Sequence, residues 1–303
     1  MNHPHHYHAY GLRITSELPC PELRASAAPH ATPDVIIRLG RVPSSLPNPQ
    51  VDDGFSQVQP NAYLLRLSDI ASYYVTDGRE IVVQPNANCA FDLIRLYLFS
   101  QCFGVLLHQR HQLILHASAV TTKKGALLFI GPSGSGKSTL AAGFMNAGYQ
   151  LLAEDLCAID DSATNGFRVM SGMAQLRLWD DAIQQLGHDK SRMRQVWHKE
   201  NKHSRLLDSE VATGARPLLA IYLLNSAEIN QVTITPLSMP EKAAAILNNI
   251  FRAEYVNALG VQAHQFKQAA QLIHSTNIQQ LTRPNSYFSV SEQIKQLQQA
   301  HSC

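Results

Sequence analysis

Eight consecutive residues could do chemistry on a phosphate. Gly131-Pro-Ser-Gly-Ser-Gly-Lys-Ser138 matches the pattern G-x-x-x-x-G-K-[ST] in full. An apolar run, Ala126–Ile130, leads into it, and a helix is expected from Lys137 onward. Gly131, Gly134 and Gly136 let the backbone curl until successive N–H groups point inward at phosphate oxygens. The helix N-terminus adds its partial positive charge. Lys137 reaches the β- and γ-phosphates as a point charge, and the Ser138 hydroxyl is placed for Mg2+. Ser133, Ser135 and Thr139 complete the expected nucleotide-binding set. The cofactors implied are ATP and Mg2+.

Further along, Glu154 and Asp155 end the run Tyr149–Ala153. A strand there would carry both to the rim of the phosphate site. Two adjacent carboxylates can divide the work: one holds Mg2+, the other accepts the proton of an incoming hydroxyl. Upstream, His116 lies in the apolar run Leu115–Val120. A hydrogen bond from its imidazole to Glu154 or Asp155 would orient the base and tune it. A second acidic pair, Asp160 and Asp161, precedes Thr164-Asn165-Gly166 and reads as a solvated turn. Arg177, in a short alternating run, reads equally well as a clamp on phosphate or acceptor and as the polar face of a strand. Lys190, Arg192, Arg194, Lys199, Lys202 and Arg205 read as a solvated basic face, with a loop closing over ATP or an acidic peptide as the alternative.

These residues need elements to position them. Leu113–Val120 and Ala126–Ile130 read as core strands joined by a polar turn. A helix then runs to about Ala147, with Gly148 as its cap. Leu151–Ala153, Leu156–Ile159, Phe167–Met170 and Leu218–Leu224 read as further strands. Pro240 starts a helix to about Val256, since proline suits a first turn. A last helix spans about Ser291–Ala300. Upstream, Cys89–His108 has helical spacing. Residues 10–85 look β-rich, with strands at Tyr10–Ile14, Asp34–Leu39, Ala62–Leu67, Ser72–Thr76 and Glu80–Val83, and a hairpin turn at Asp77-Gly78. Proline-rich Gly40–Pro60 reads as loop. The first ten residues, with His3, His5, His6 and His8, read as a disordered end. The domain division expected is 1–88, a small β-rich N-terminal domain, and 89–303, a catalytic domain of α/β class with an α+β mixed sheet.

Composition narrows the classes. The chain has 303 residues, 45% hydrophobic and 16% charged, which excludes a disordered polyelectrolyte. A net charge of +2 argues against nucleic-acid binding driven by bulk charge. The five cysteines, Cys20, Cys89, Cys102, Cys157 and Cys303, include no C-x-x-C pair, so neither a zinc knuckle nor a disulfide framework is expected. The apolar stretch Ala90–Leu107 is interrupted by Asp92 and Arg95 and reads as a buried helix, not a membrane span. A cytoplasmic protein without nucleic-acid or membrane partners is expected.

The stretch Leu115–Ile159, with Leu115-His116, a hairpin, the glycine loop, Gly148 and Leu151-Leu-Ala-Glu-Asp155, resembles the catalytic domain of HPr kinase/phosphorylase. It is more closely similar to the HPr-kinase-like proteins of peptide-modification clusters, including lasso-peptide kinases. Gln175–Trp179 and Arg216-Pro217 also look like that group. The resemblance implies a phosphoenolpyruvate-carboxykinase-like P-loop kinase fold. It implies Glu154 as catalytic carboxylate, Asp155 as the second carboxylate and metal ligand beside Ser138, and His116 as the supporting histidine, with Lys137 also catalytic. The chain departs from the family in having Glu where the family has Asp, which leaves Asp155 open as the base. It also lacks the later glycine-rich, glutamate-containing metal motif, so phosphorylase activity is not carried over.

The function expected is an ATP-dependent kinase transferring the γ-phosphate to a Ser or Thr hydroxyl of a peptide or protein, such as a ribosomal peptide precursor. The alternatives are a small-molecule kinase on the same scaffold and a nucleotide-gated binding module without transfer. A homo-oligomer stays open as a further partnership.

Overall fold

The computed structural model describes residues 4–27, 31–161, 166–196 and 201–301. The expectations for His3, Thr164, Asn165, Lys199 and Cys303 lie outside the described residues. The architecture is mixed α/β, with three sheets and several helices. The chain divides into two compact units, Met1–Ile114 with Phe251–Lys267, and Leu115–Ile250 with Gln268–Cys303. The helical segment after Cys89 falls in the first of these units.

The first unit is built on a nine-stranded sheet. Its order is Arg24–Ala25, His5–Ala9, Leu12–Ser16, Val35–Leu39, Glu80–Pro85, Ala71–Thr76, Ala62–Leu67, Ser56–Gln59 and Val51–Asp52. The Asp77-Gly78 hairpin forms as expected, with φ of 53° and 63°. Two expectations are corrected. Tyr10-Gly11 is itself a turn, with φ of 54° and 74°, so no strand begins at Tyr10. It folds His5–Ala9 back onto Leu12–Ser16, and the histidines there belong to a paired strand, not a disordered end. The supposed loop Gly40–Pro60 contains the strands Val51–Asp52 and Ser56–Gln59, because Pro43, Pro47 and Pro49 precede the first and Pro60 follows the second. Phe91–Tyr97, a π-helical turn at Leu98–Cys102, and Phe103–Gln109 form the expected helical segment. It is tied down where Tyr73 Oη donates to Ile94 O at 2.8 Å. Arg95 Nε also pairs with Glu22 Oε1 at 2.9 Å, both side chains about nine-tenths buried.

The second unit holds a seven-stranded mixed sheet, ordered Ala126–Ile130, Leu113–Thr121, Leu151–Asp160, Arg168–Val169, Arg216–Ala227, Asn277–Pro284 and Thr233–Pro236. Ala126–Ile130 also pairs in parallel with Arg216–Ala227, so it is hydrogen-bonded on two sides. This explains why all five of its residues are apolar and buried. A small sheet of Gln175–Trp179, Lys202–Leu206 and Arg194–Gln195 lies in the same unit. The helix Lys137–Asn146 ends where Tyr149 N–H bonds back to Phe144 O at 3.0 Å, with Gly148 at φ 89°.

The two strands expected at 151–153 and 156–159 are one, Leu151–Asp160. The helix from Pro240 is shorter than expected. It runs over Met239–Leu247, started by a capping box of Ser238 and Glu241, and Arg252 at φ 48° precedes a separate turn, Ala253–Val256. The last helix is Val290–His301. Among the described residues no helix is long and apolar enough to cross a membrane, and Cys20, Cys89, Cys102 and Cys157 are free thiols.

Removing one partner of a buried ion pair strands the other. Glu22→Ala leaves Arg95 with Asp92 as its remaining carboxylate. It should lower the unfolding free energy by about 3 kcal/mol, read from urea denaturation.

Candidate active site

The glycine loop starts where a buried strand ends. Gly131 has φ 145°, and a Cβ there would meet Ser135 Oγ at 2.9 Å and Leu224 O at 3.1 Å. Only glycine fits both the conformation and the space. Gly136, at φ 100°, caps the helix Lys137–Asn146 without a side-chain hydrogen bond. The first-turn N–H groups are thereby left for another partner. Lys137 is nearly buried. Its Nζ donates to Gly131 O at 2.7 Å and Pro132 O at 3.0 Å, which keeps the charge inside the loop. Burial lowers its pKa, opposed by the charges of Asp155 and Glu154.

A cavity of about 410 Å³ opens beside the loop. Ser133, Gly134, Ser135, Gly136, Lys137, Ser138 and Thr139 line it, as do His116, Glu154 and Asp155. Gly131 is at the root of the loop and not on the wall. Its N–H is given to Asn249 Oδ1 at 2.9 Å.

Within the cavity the carboxylates have different partners. Ser138 Oγ donates to Glu154 Oε1 at 2.7 Å. Burial pushes the Glu154 carboxyl up, and the neighbouring Asp155 charge adds to the rise. His116 Nδ1 lies 3.1 Å from Asp155 Oδ1, and Arg177 Nη1 lies 3.2 Å from Asp155 Oδ2. Burial alone would raise Asp155, but the His116 hydrogen bond and the Arg177 charge hold it well below the usual carboxylate range. The geometry therefore joins His116 to Asp155, not to Glu154, and joins Ser138 to Glu154, not to Asp155. Arg177 is buried and acts on Asp155.

Successive side chains of a strand face opposite sides. Glu154 and Asp155 nevertheless line one cavity. The reason is the backbone of Asp155, which takes a left-handed φ of 71° within Leu151–Asp160. That conformation is uncommon outside glycine but least so for Asp and Asn.

Some expected residues have duller places. Lys190 pairs with Asp180, Arg192 with Asp189 and Arg205 with Glu210, as surface ion pairs. From the basic run, Lys202 does line the cavity. Asp161 is not merely solvated: it accepts a hydrogen bond from the buried Gln268 amide at 2.9 Å.

Asn249 and Ser118 had no signal in the sequence. Asn249 takes the Gly131 N–H on its side chain, and its carbonyl accepts the His116 N–H at 2.8 Å. Its own amide is anchored on Ala245 O at 2.8 Å. Ser118, one turn of the pleat beyond His116, lines the cavity with its hydroxyl buried. The Ser118 and Ser135 hydroxyls have no hydrogen-bond partner among the described residues. Buried polar atoms without partners suit a site that takes a polar ligand.

Asn249→Ala should strand the Gly131 N–H and loosen the root of the loop. The expected cost is about 1–3 kcal/mol of stability, read from thermal unfolding.

No family model matches the chain, and no curated protein matches it. Among solved structures, the Hpr(Ser) kinase/phosphatase from Coxiella burnetii is similar over 62% of this chain and 95% of that one, at 11% identity and a TM-score of 0.33.

Proposed function

We propose that the protein is an ATP-dependent kinase on a phosphoenolpyruvate-carboxykinase-like scaffold, transferring the γ-phosphoryl group to a Ser or Thr hydroxyl of a peptide or protein. The observation that carries this reading is the Ser138–Glu154 hydrogen bond of 2.7 Å at the start of the helix that the glycine loop feeds. It puts a hydroxyl and a carboxylate together beside a loop whose sequence suits a triphosphate.

Ser138 and Glu154 are oxygen donors, as Mg2+ requires, and a Mg2+ site takes one or two carboxylates with the rest from phosphates and water. Among the described residues no group of three or more His, Cys, Asp or Glu side chains forms a self-sufficient metal cage. That fits a metal that arrives with its nucleotide. Bound there, Mg2+ would neutralise charge on the β- and γ-phosphates.

The protein's own groups do the rest. Lys137 leaves the loop carbonyls for the phosphates. Asp155, held by Arg177 and His116, orients the acceptor hydroxyl. The acceptor oxygen bonds to the γ-phosphorus, the bond to the β-phosphate bridging oxygen breaks, ADP leaves, and the hydroxyl proton passes to Asp155. The metal ligand is on this reading Glu154, and the base Asp155. This exchanges the two roles implied by the family resemblance.

Incubation with γ-labelled ATP, Mg2+ and serine-containing peptides should yield a phosphopeptide. Lys137→Ala should lower the rate by about a hundredfold or more while the protein stays folded, since an oriented charge of this kind acts on the transition state. EDTA should abolish transfer and Mg2+ restore it. Transfer that survives both would overturn the assignment.

The carboxylates separate by their effects on binding. Glu154→Gln should weaken Mg2+-dependent ATP binding and turnover together. Asp155→Asn keeps a residue that tolerates left-handed backbone, so it should spare ATP affinity and cut turnover by about 100-fold or more. The reverse pattern, read by nucleotide titration beside single-turnover rates, would return the base to Glu154.

A further inference from the structure

Part of the cavity wall comes from the turn between the strand Asn277–Pro284 and the helix Val290–His301. Tyr287 and Phe288 line the cavity there, and both are large aromatic side chains left 45% and 42% exposed. The turn that carries them is tied at both ends, and Tyr287 is bonded through its hydroxyl. Asn285 N–H bonds to Ala227 O at 3.1 Å at the start of the turn. At its end, Gln293 Nε2 donates to Ser289 Oγ at 3.2 Å. Tyr287 Oη donates to Glu292 Oε2 at 2.7 Å, and the other oxygen of Glu292 accepts the Val232 N–H at 2.8 Å.

The position of this turn relative to the glycine loop is fixed by packing. A Cβ added at Gly143, on the helix that begins at Lys137, would meet Val290 Cγ1 at 2.4 Å and Ile294 Cδ1 at 3.1 Å. The two helices therefore touch closely, and both begin at the cavity. Arg283 is also on the lining, with its Nε 3.9 Å from where a Cβ on Gly136 would be. Two exposed aromatic side chains and a guanidinium thus line the same cavity as a phosphate-type loop, which offers a stacking face and a positive charge beside that loop. Asn285 lies on the same wall, and an amide can make paired hydrogen bonds to N6 and N7 of adenine.

We infer that Phe288, with Tyr287 beside it, is the stacking platform for the base of an adenine nucleotide whose phosphates lie in the Gly131–Ser138 loop, and that Asn285 reads the edge of that base. The inference rests on the triphosphate reading of the loop given above. It makes Phe288 and Asn285 the residues that decide which nucleotide is used, through contacts separate from those that hold the phosphates.

Calorimetric titration of the full chain in Mg2+ with ATP, CTP and inorganic tripolyphosphate tests it. Wild type should bind ATP about tenfold or more tighter than tripolyphosphate or CTP. Phe288→Ala should lose about five- to a hundredfold in ATP affinity, the worth of one base–aromatic stack, and hold tripolyphosphate to within about twofold. Phe288→Trp should keep ATP affinity, and Asn285→Ala should narrow the gap between ATP and CTP. Unchanged ATP affinity in Phe288→Ala would overturn the platform while leaving the loop reading intact. Equal losses for ATP and tripolyphosphate would mark Phe288 as structural and also overturn it. Wild type that binds neither ligand would sink the loop reading, and this inference with it.

Discussion

Neighbouring residues on a β-strand point to opposite faces, so two adjacent carboxylates ordinarily cannot serve one cavity. The left-handed backbone at Asp155 lifts that restriction, at a conformational cost of about 1–3 kcal/mol. Around that single residue the rest is arranged. Arg177 comes from the small sheet to neutralise it, His116 comes from the neighbouring strand to bond it, and Glu154 is freed to meet Ser138. One carboxylate is held ionised and the other is pushed up by burial. Two side chains of nearly the same chemistry thus acquire different properties from their surroundings.

The second organising contact is Asn249. It bonds the first residue of the glycine loop through its side chain and the backbone of His116 through its carbonyl. A residue just beyond the end of the helix Met239–Leu247 therefore sets the distance between the glycine loop and the strand that carries the histidine. Its amide is satisfied on both sides, which makes it a spacer with little freedom to move.

Legibility in the sequence followed the range of the interactions. The strand Ala126–Ile130, the glycine loop and the following helix are local, and their residues state them openly. So is the Asp77-Gly78 turn. The Tyr10-Gly11 turn was harder, because tyrosine is not a usual left-handed residue, and histidines in the strand His5–Ala9 look like an unstructured end. The short strands within Gly40–Pro60 hid behind their prolines. Ser133 to Thr139, His116, Glu154 and Asp155, all singled out in the sequence, line one cavity, but which of them pair could not be read. Whether His116 meets Glu154 or Asp155 depends on one φ angle. That Arg177 reaches Asp155 depends on a sheet folded from segments far apart in the chain. Asn249 had no signal at all, since asparagine near a helix end is ordinary.

The strand that carries the glycine loop has neighbours on both edges, Leu113–Thr121 on one and Arg216–Ala227 on the other. Its amides are bonded within the sheet and shut off from water, so solvent exchange there needs the sheet itself to open. The loop beyond Gly131 has far fewer such bonds. Amide exchange should therefore be graded along a few residues, slow at a root bonded into the sheet and faster at the tip.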